Sequence, residues 1–118
     1  MKKILIVEDD KIFALSLKIT LLKMGYEVLK PVDTAELGFN SAILHKPDVI
    51  LMDILLKGNE TGIDAALNIN EVTQIPVIFM TGNTEMLKKE NLESKLRYFI
   101  HSKPINEKDI IKTIEALF

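Results

Sequence analysis

Ile4-Leu5-Ile6-Val7-Glu8-Asp9 is a short apolar run that ends in two acids, and the same figure returns as Val49-Ile50-Leu51-Met52-Asp53. Val77-Ile78-Phe79-Met80 runs into Thr81, and Tyr98-Phe99-Ile100 is followed shortly by Lys103-Pro104. Apolar runs of this length, bounded by polar breaks, predict buried strands of a parallel sheet, and ligands of such sheets bind beyond the carboxyl ends of the strands. Three acids, a hydroxyl and an amine would then share one rim.

Helical patterns fill the gaps between these runs. Asp9 or Asp10 can cap a helix from about Lys11 to Met24, stopped by Gly25, in which Ile12, Leu15, Ile19 and Leu22 recur at helical spacing and are expected to cover one face of the sheet. Tyr26 to Val32 reads as a further strand, Thr34 caps a helix to about His45, and Lys46-Pro47-Asp48 turns the chain into the strand ending at Asp53. Lys57 to Gly62 is loop, Ile63 to about Val72 a third helix, and Pro76 opens the next strand. Asn83 or Thr84 caps a helix through about Leu92, Leu96 to His101 form the last strand, and Asn106 begins a helix ending near Phe118. Five strand-helix units joined by right-handed crossovers predict an α/β fold: a doubly wound, five-stranded parallel sheet of order 2-1-3-4-5, flavodoxin-like, with helices on both faces. That order sets the first and third strands side by side, so Glu8, Asp9 and Asp53 would converge.

With 118 residues the chain is expected to be one domain throughout. A formal charge of -2 gives no broad field for nucleic acid, so direct nucleic acid binding is not expected. The absence of cysteine excludes a disulfide framework and suits a cytoplasmic location. Met1-Lys2-Lys3 precedes too short an apolar run for a signal peptide, no stretch approaches a membrane span, and the chain reads as soluble, unprocessed and without a membrane partner.

Two carboxylates about 4 Å apart repel by roughly 4 kcal/mol at an effective dielectric of 20. Three in one crevice therefore call for a proton or a cation. An all-oxygen donor set suits magnesium, which typically takes one or two protein carboxylates and leaves a position for a phosphoryl oxygen. Taken alone, Glu8-Asp9 also reads as a helix cap on an acidic surface, Lys103 as a solvated lysine and Thr81 as a strand-end hydroxyl. Together they fit phosphoryl transfer, with Asp53 as a metal ligand, a nucleophile or both, and with an ammonium and a hydroxyl to neutralise equatorial oxygens.

The segments Ile4 to Asp10, Pro47 to Asp53, Ile75 to Gly82 and Ser102 to Ile105, in this order and spacing, resemble the receiver domain of two-component response regulators of the chemotaxis-regulator type, over the whole chain. The resemblance implies Asp53 as phosphoacceptor, Glu8, Asp9 and Asp53 as Mg2+ ligands with the main-chain carbonyl of Leu55, and Thr81 and Lys103 as phosphoryl contacts. It further implies a cis peptide before Pro104, against a base rate of about 5% for X-Pro bonds, and a small residue at Gly82. Its phosphodonor would be a sensor histidine kinase, since His45 and His101 lack a donor's sequence context, or a small acyl phosphate. Its switch surface would be the fourth helix, fifth strand and fifth helix, where Glu85, Lys88, Lys89, Glu90, Glu93, Lys95, Lys108 and Asp109 mix both signs. That surface would serve a downstream protein partner, an attached output domain or a phosphorylation-dependent homodimer. Such a domain promotes its own phosphorylation and autodephosphorylation without turning over an external substrate.

Departures from the family pattern lie at two places. Leu55-Leu56-Lys57-Gly58 replaces the Met-Pro common after the phosphoacceptor, and an apolar Leu55 cannot orient a hydrolytic water, which predicts slow autodephosphorylation. The switch aromatic usually lies three residues before the lysine, where this chain has Ile100, with Tyr98 and Phe99 upstream. Three rival readings exist. A haloacid-dehalogenase-type phosphatase wants a second acid where Leu55 stands. A flavin-binding module wants a Ser/Thr-rich phosphate cradle that Lys57 to Gly62 does not offer. A phosphorylation-independent interaction module of the same fold would not need the intact rim.

Overall fold

Side chains alternate across each strand, and in this chain both faces are apolar. The computed structural model, which describes residues 2–88 and 92–118, shows strands β1 (Lys3–Val7), β2 (Glu27–Val28), β3 (Val49–Asp53), β4 (Val77–Thr81) and β5 (Tyr98–Ser102). They pair in parallel in the order β2-β1-β3-β4-β5. Helices α1 (Lys11–Lys23), α2 (Ala35–His45), α3 (Gly62–Val72), α4 (Glu85–Lys88) and α5 (Glu107–Leu117) alternate with the strands, and a 3-10 turn spans Leu92–Ser94.

The period of two sorts the strand residues into two cores. Leu5, Val7, Ile50, Met52, Val77 and Phe79 pack under α2, α3 and α4 through Ala35, Ala42, Ile63, Ala66, Ile69 and Leu87. Ile4, Ile6, Val49, Leu51, Ile78 and Met80 pack under α1 and α5 through Ala14, Leu17, Leu21, Ile110 and Ile114. Burial on both sides accounts for strands that read as unbroken apolar runs.

The helix starts are set by side-chain caps. Asp10 accepts from the amides of Ile12 and Phe13, Thr34 from Leu37, Asn106 from Lys108, and Thr61 forms a reciprocal capping box with Asp64.

Three expectations are corrected. On α1 the stripe Ile12, Leu15, Ile19, Leu22 faces out, 84%, 56%, 45% and 48% exposed, while Ala14, Leu17 and Leu21 meet the sheet. Both sets keep helical spacing, so apolar residues encircle the helix and periodicity alone does not choose the buried side. The second strand is two residues long because Pro31 has no N–H for the ladder. The chain still tracks β1 through Leu29 N to Ile4 O and Val32 N to Ile6 O. Strand β5 starts at Tyr98, since Leu96 closes the preceding turn with its amide on Leu92 O. The fourth helix is described over Glu85–Lys88; the rest of its expected span, residues 89–91, lies outside the described residues.

Candidate functional site

The register of β1 against β3 pairs Val7 with Met52, which brings the next residues, Glu8 and Asp53, side by side at the carboxyl end of the sheet. Oxygens of Glu8, Asp9 and Asp53 all lie within 4.8 Å of one another. Glu8 and Asp53 are buried, at 1% and 5% exposure, and Asp9 is half-buried.

Lys103 reaches this cluster from β5. Its amide donates to Thr81 O at 2.8 Å, which ties it to the end of β4. Its ammonium donates to Glu8 Oε1 at 3.1 Å and Asp53 Oδ2 at 3.2 Å and lies 5.9 Å from the centroid of the Phe13 ring. The Lys103-Pro104 peptide is cis. Burial alone would lower the Lys103 pKa, but the hydrogen bond and charge of Glu8 and the charge of Asp53 outweigh it and raise it. Burial raises the Glu8 pKa, as does a hydrogen bond shared with Asp53, and the Asp10 amide on Glu8 Oε2 at 3.1 Å opposes them.

Thr81 is buried at the end of β4, one residue past Met80, which pairs with Asp53. Its hydroxyl accepts from Asn83 N at 3.0 Å and donates to Asn83 O at 3.3 Å. A Cβ built on Gly82 meets nothing within 4 Å, so the space beside Thr81 is open. The side chain of Leu55 is 60% exposed in the turn after Asp53.

Sequence reasoning missed two contributors, Phe13 and the close approach of Gly62, and one contact of the expected cap Asp10. Asp10 caps α1 and sends its own amide to Glu8. Phe13 lies beside Lys103. Gly62 brings the loop back onto the strand end: its amide donates to Ile54 O at 2.7 Å, and a Cβ there would stand 2.0 Å from the main-chain oxygen of Asp53. A glycine next to a Thr-x-x-Asp capping box was the one legible signal for that approach.

The response regulator receiver domain model matches residues 4–115. This chain belongs to that family. Protein PilH of Pseudomonas aeruginosa is 33% identical over 120 residues, covering 99% of this chain and 98% of the relative. The transcriptional regulatory protein PdtaR of Mycobacterium tuberculosis is 28% identical over 116 residues, and there the chain spans 97% of itself and only about half, 55%, of the relative. Among solved structures, the N-terminal domain of a response regulator/sensory box/GGDEF three-domain protein from Carboxydothermus hydrogenoformans superposes with a TM-score of 0.85 at 36% identity, covering 98% of this chain and 93% of that one. Response regulator receivers are signalling domains, and the buried acidic cluster of this one has the all-oxygen donor set of a hard divalent cation. Among the described residues no helix is long and apolar enough to cross a membrane.

Proposed function

We propose that this domain accepts a phosphoryl group on Asp53 from a partner histidine kinase, with Mg2+, and answers by changing the surface of α4, β5 and α5. The observation that carries the reading is the meeting of Glu8, Asp9 and Asp53 within 4.8 Å, with the Lys103 ammonium on two of them. Glu8, Asp9, Asp53 and the main-chain oxygen of Leu55 are the residues that would hold the ion. When bound, magnesium would neutralise charge on the phosphoryl oxygens and hold one of them in place.

The chain's own groups supply the rest. A carboxylate oxygen of Asp53 forms the bond to phosphorus as the donor's P–N bond breaks, and the leaving imidazole takes the electron pair and picks up a proton from solvent. Lys103, charged and fixed by Glu8, supplies a positive group beside the attacking oxygen and is free to move onto the new phosphoryl oxygens. Thr81 would give up its bonds with Asn83 to donate to the same group, which ties phosphorylation to the start of α4. At Leu55 no acid is present for turnover of an external substrate. The output is either a downstream protein or an attached domain, and a phosphorylation-dependent homodimer through α4, β5 and α5 is compatible with the mixed charge of Glu93, Lys95, Lys108 and Asp109.

Intact mass after incubation with acetyl phosphate tests this. One phosphoryl adduct, formed only with magnesium and absent from Asp53→Asn, is expected. An adduct that persists in Asp53→Asn would overturn the assignment.

A further inference from the structure

The main-chain oxygen of Leu55 has no side chain to aim it, so its use as a magnesium ligand depends on the loop that carries it. That loop leaves β3 after Asp53 and enters α3 at Gly62, where the Gly62 amide donates to Ile54 O at 2.7 Å. A second attachment lies between these ends. Thr34 and Lys57 form an isolated parallel bridge, and the Lys57 ammonium donates to Asp33 Oδ2 at 3.4 Å. Gly58 follows with φ +95°, a left-handed conformation that glycine takes without strain, and turns the chain away directly after the attachment.

The segment on the other side of this attachment is itself fixed to the site. The Glu8 amide donates to Val32 O at 2.9 Å, the Val32 amide donates to Ile6 O at 3.1 Å, and Val7 bridges to Val32. Beyond Asp33, the Thr34 hydroxyl accepts from Leu37 N at 3.0 Å and starts α2. Val32, Asp33 and Thr34 therefore form a strap that runs from the backbone of Glu8 to the loop of Leu55. The side chains of Lys57 and Asp33 are 56% and 28% exposed, and among the described residues neither makes another ion pair. An exposed pair of this kind stabilises a fold little, so its consequence is local, in the one loop that it closes.

We infer that Asp33 and Lys57 are positioning residues for magnesium: by closing the strap onto the loop they set where the Leu55 carbonyl stands relative to Glu8. The inference rests on the reading of Glu8, Asp9, Asp53 and the Leu55 main-chain oxygen as the ligands. Asp33 is not among the acids that converge there, and an ammonium repels a cation, so both residues act through the backbone. Magnesium demands near-octahedral coordination at short distances, and a carbonyl free to drift is a poor ligand for it. Groups that stand behind the ligands and orient them are as much a part of metal affinity as the ligands themselves.

The test is a magnesium titration of the full chain, followed by NMR through the backbone amide shifts of Glu8, Asp53 and Leu55. Asp33→Ala and Lys57→Ala should each weaken magnesium binding by about two- to fivefold, the range that an exposed pair carries. The double variant should be no weaker than the weaker of the two, because either change alone opens the strap. Lys57→Arg, which keeps the charge and the reach, should bind as the wild type does. In chelator the order parameters of Leu55, Leu56 and Lys57 should fall in both alanine variants, while the midpoint of thermal unfolding stays in place. The common direction is decisive. Through the field alone, loss of an acid would weaken binding and loss of a lysine would strengthen it, so shifts of opposite sign would overturn the inference. Unchanged affinities in both alanine variants, or a loss in Lys57→Arg equal to that in Lys57→Ala, would overturn it as well. A wild type that binds no magnesium would overturn the reading of the site together with the inference, whereas normal wild-type binding beside unaffected variants would overturn the inference alone.

Discussion

The ammonium of Lys103 stands 3.2 Å from Oδ2 of Asp53, 50 residues earlier in the chain. That contact is where the Asp53 oxygen would gain a phosphoryl group, so the lysine is placed to follow the charge rather than to hold the metal. Lys103→Ala should therefore slow phosphoryl uptake from acetyl phosphate by about a hundred- to a thousandfold, in the range seen when one stabilising donor is removed. Magnesium affinity should be kept or raised, because a competing cation has left the carboxylates. Initial rates and calorimetric magnesium titration check this; an unchanged rate removes Lys103 from the chemistry.

Glu8 supplies a pH signature. Its folded-state pKa is raised above the ordinary value of 4.5, first by burial and then by the hydrogen bond shared with Asp53. An acid of this kind takes up more protons folded than unfolded, so its contribution to stability is present below about 4.5 and is lost as pH rises through the raised value. In chelator, Glu8→Gln should therefore unfold at a higher temperature than the wild type at neutral pH, with the gap closing as pH falls toward 4.5. Magnesium should narrow the gap at neutral pH by stabilising the wild type alone. A gap that widens on acidification would contradict the assignment.

Gly62 tests the backbone of the site. A Cβ would meet Asp53 O at 2.0 Å, Met52 Cγ at 2.8 Å and Asp53 C at 2.9 Å, and two of those atoms are main chain that cannot swing aside. Gly62→Ala should cost about 1–3 kcal/mol, as overpacking typically does, in spite of a gain in helix propensity of up to about 1 kcal/mol. It should also reduce phosphoryl uptake, since relief requires the Asp53 backbone to move. Urea unfolding of Gly62→Ala beside wild type decides it, and equal midpoints would show that the loop yields freely.

Glu107 accepts from Ser16 Oγ at 2.8 Å and from Thr20 Oγ1 at 2.6 Å and so ties the start of α5 to the middle of α1. Glu107→Ala should destabilise the protein by about 1–2 kcal/mol, the scale of a hydrogen bond to a charged group at a partly exposed position. Thr20→Val should cost much less in that background than alone. Strict additivity of the two changes would mean the contact is idle.

What the sequence revealed and what it hid divide along physical lines. The strands were legible because burial on both faces makes Ile4–Val7, Val49–Met52 and Val77–Met80 unbroken apolar runs, and their ends put Glu8, Asp53 and Thr81 in view. The buried side of α1 was not legible, because Ala14, Leu17 and Leu21 compete with Ile12, Leu15, Ile19 and Leu22 at equal spacing, and only the sheet chooses between them. The close approach of Gly62 was hidden for a similar reason: the Thr-x-x-Asp capping box beside it marks a tight helix entry, but nothing local records that the Asp53 carbonyl lies behind it.

Leu55 bears on how long a signal would last. It is apolar and 60% exposed two residues after Asp53, so it offers neither donor nor acceptor to a water approaching an aspartyl phosphate. Attack by water gains from a side chain that holds and orients it. Leu55→Asn should therefore shorten the lifetime of the phosphoryl adduct, by about a hundredfold, the low end of the range for positioned groups. Because the side chain is exposed, the substitution should leave folding stability within about 0.5 kcal/mol, which separates an effect on water from damage to the site. Decay of the adduct after removal of acetyl phosphate, followed by intact mass in magnesium, gives the lifetime directly. An unchanged lifetime would mean that water reaches phosphorus from another side, with Asn83, next to Thr81, as the neighbour to replace next.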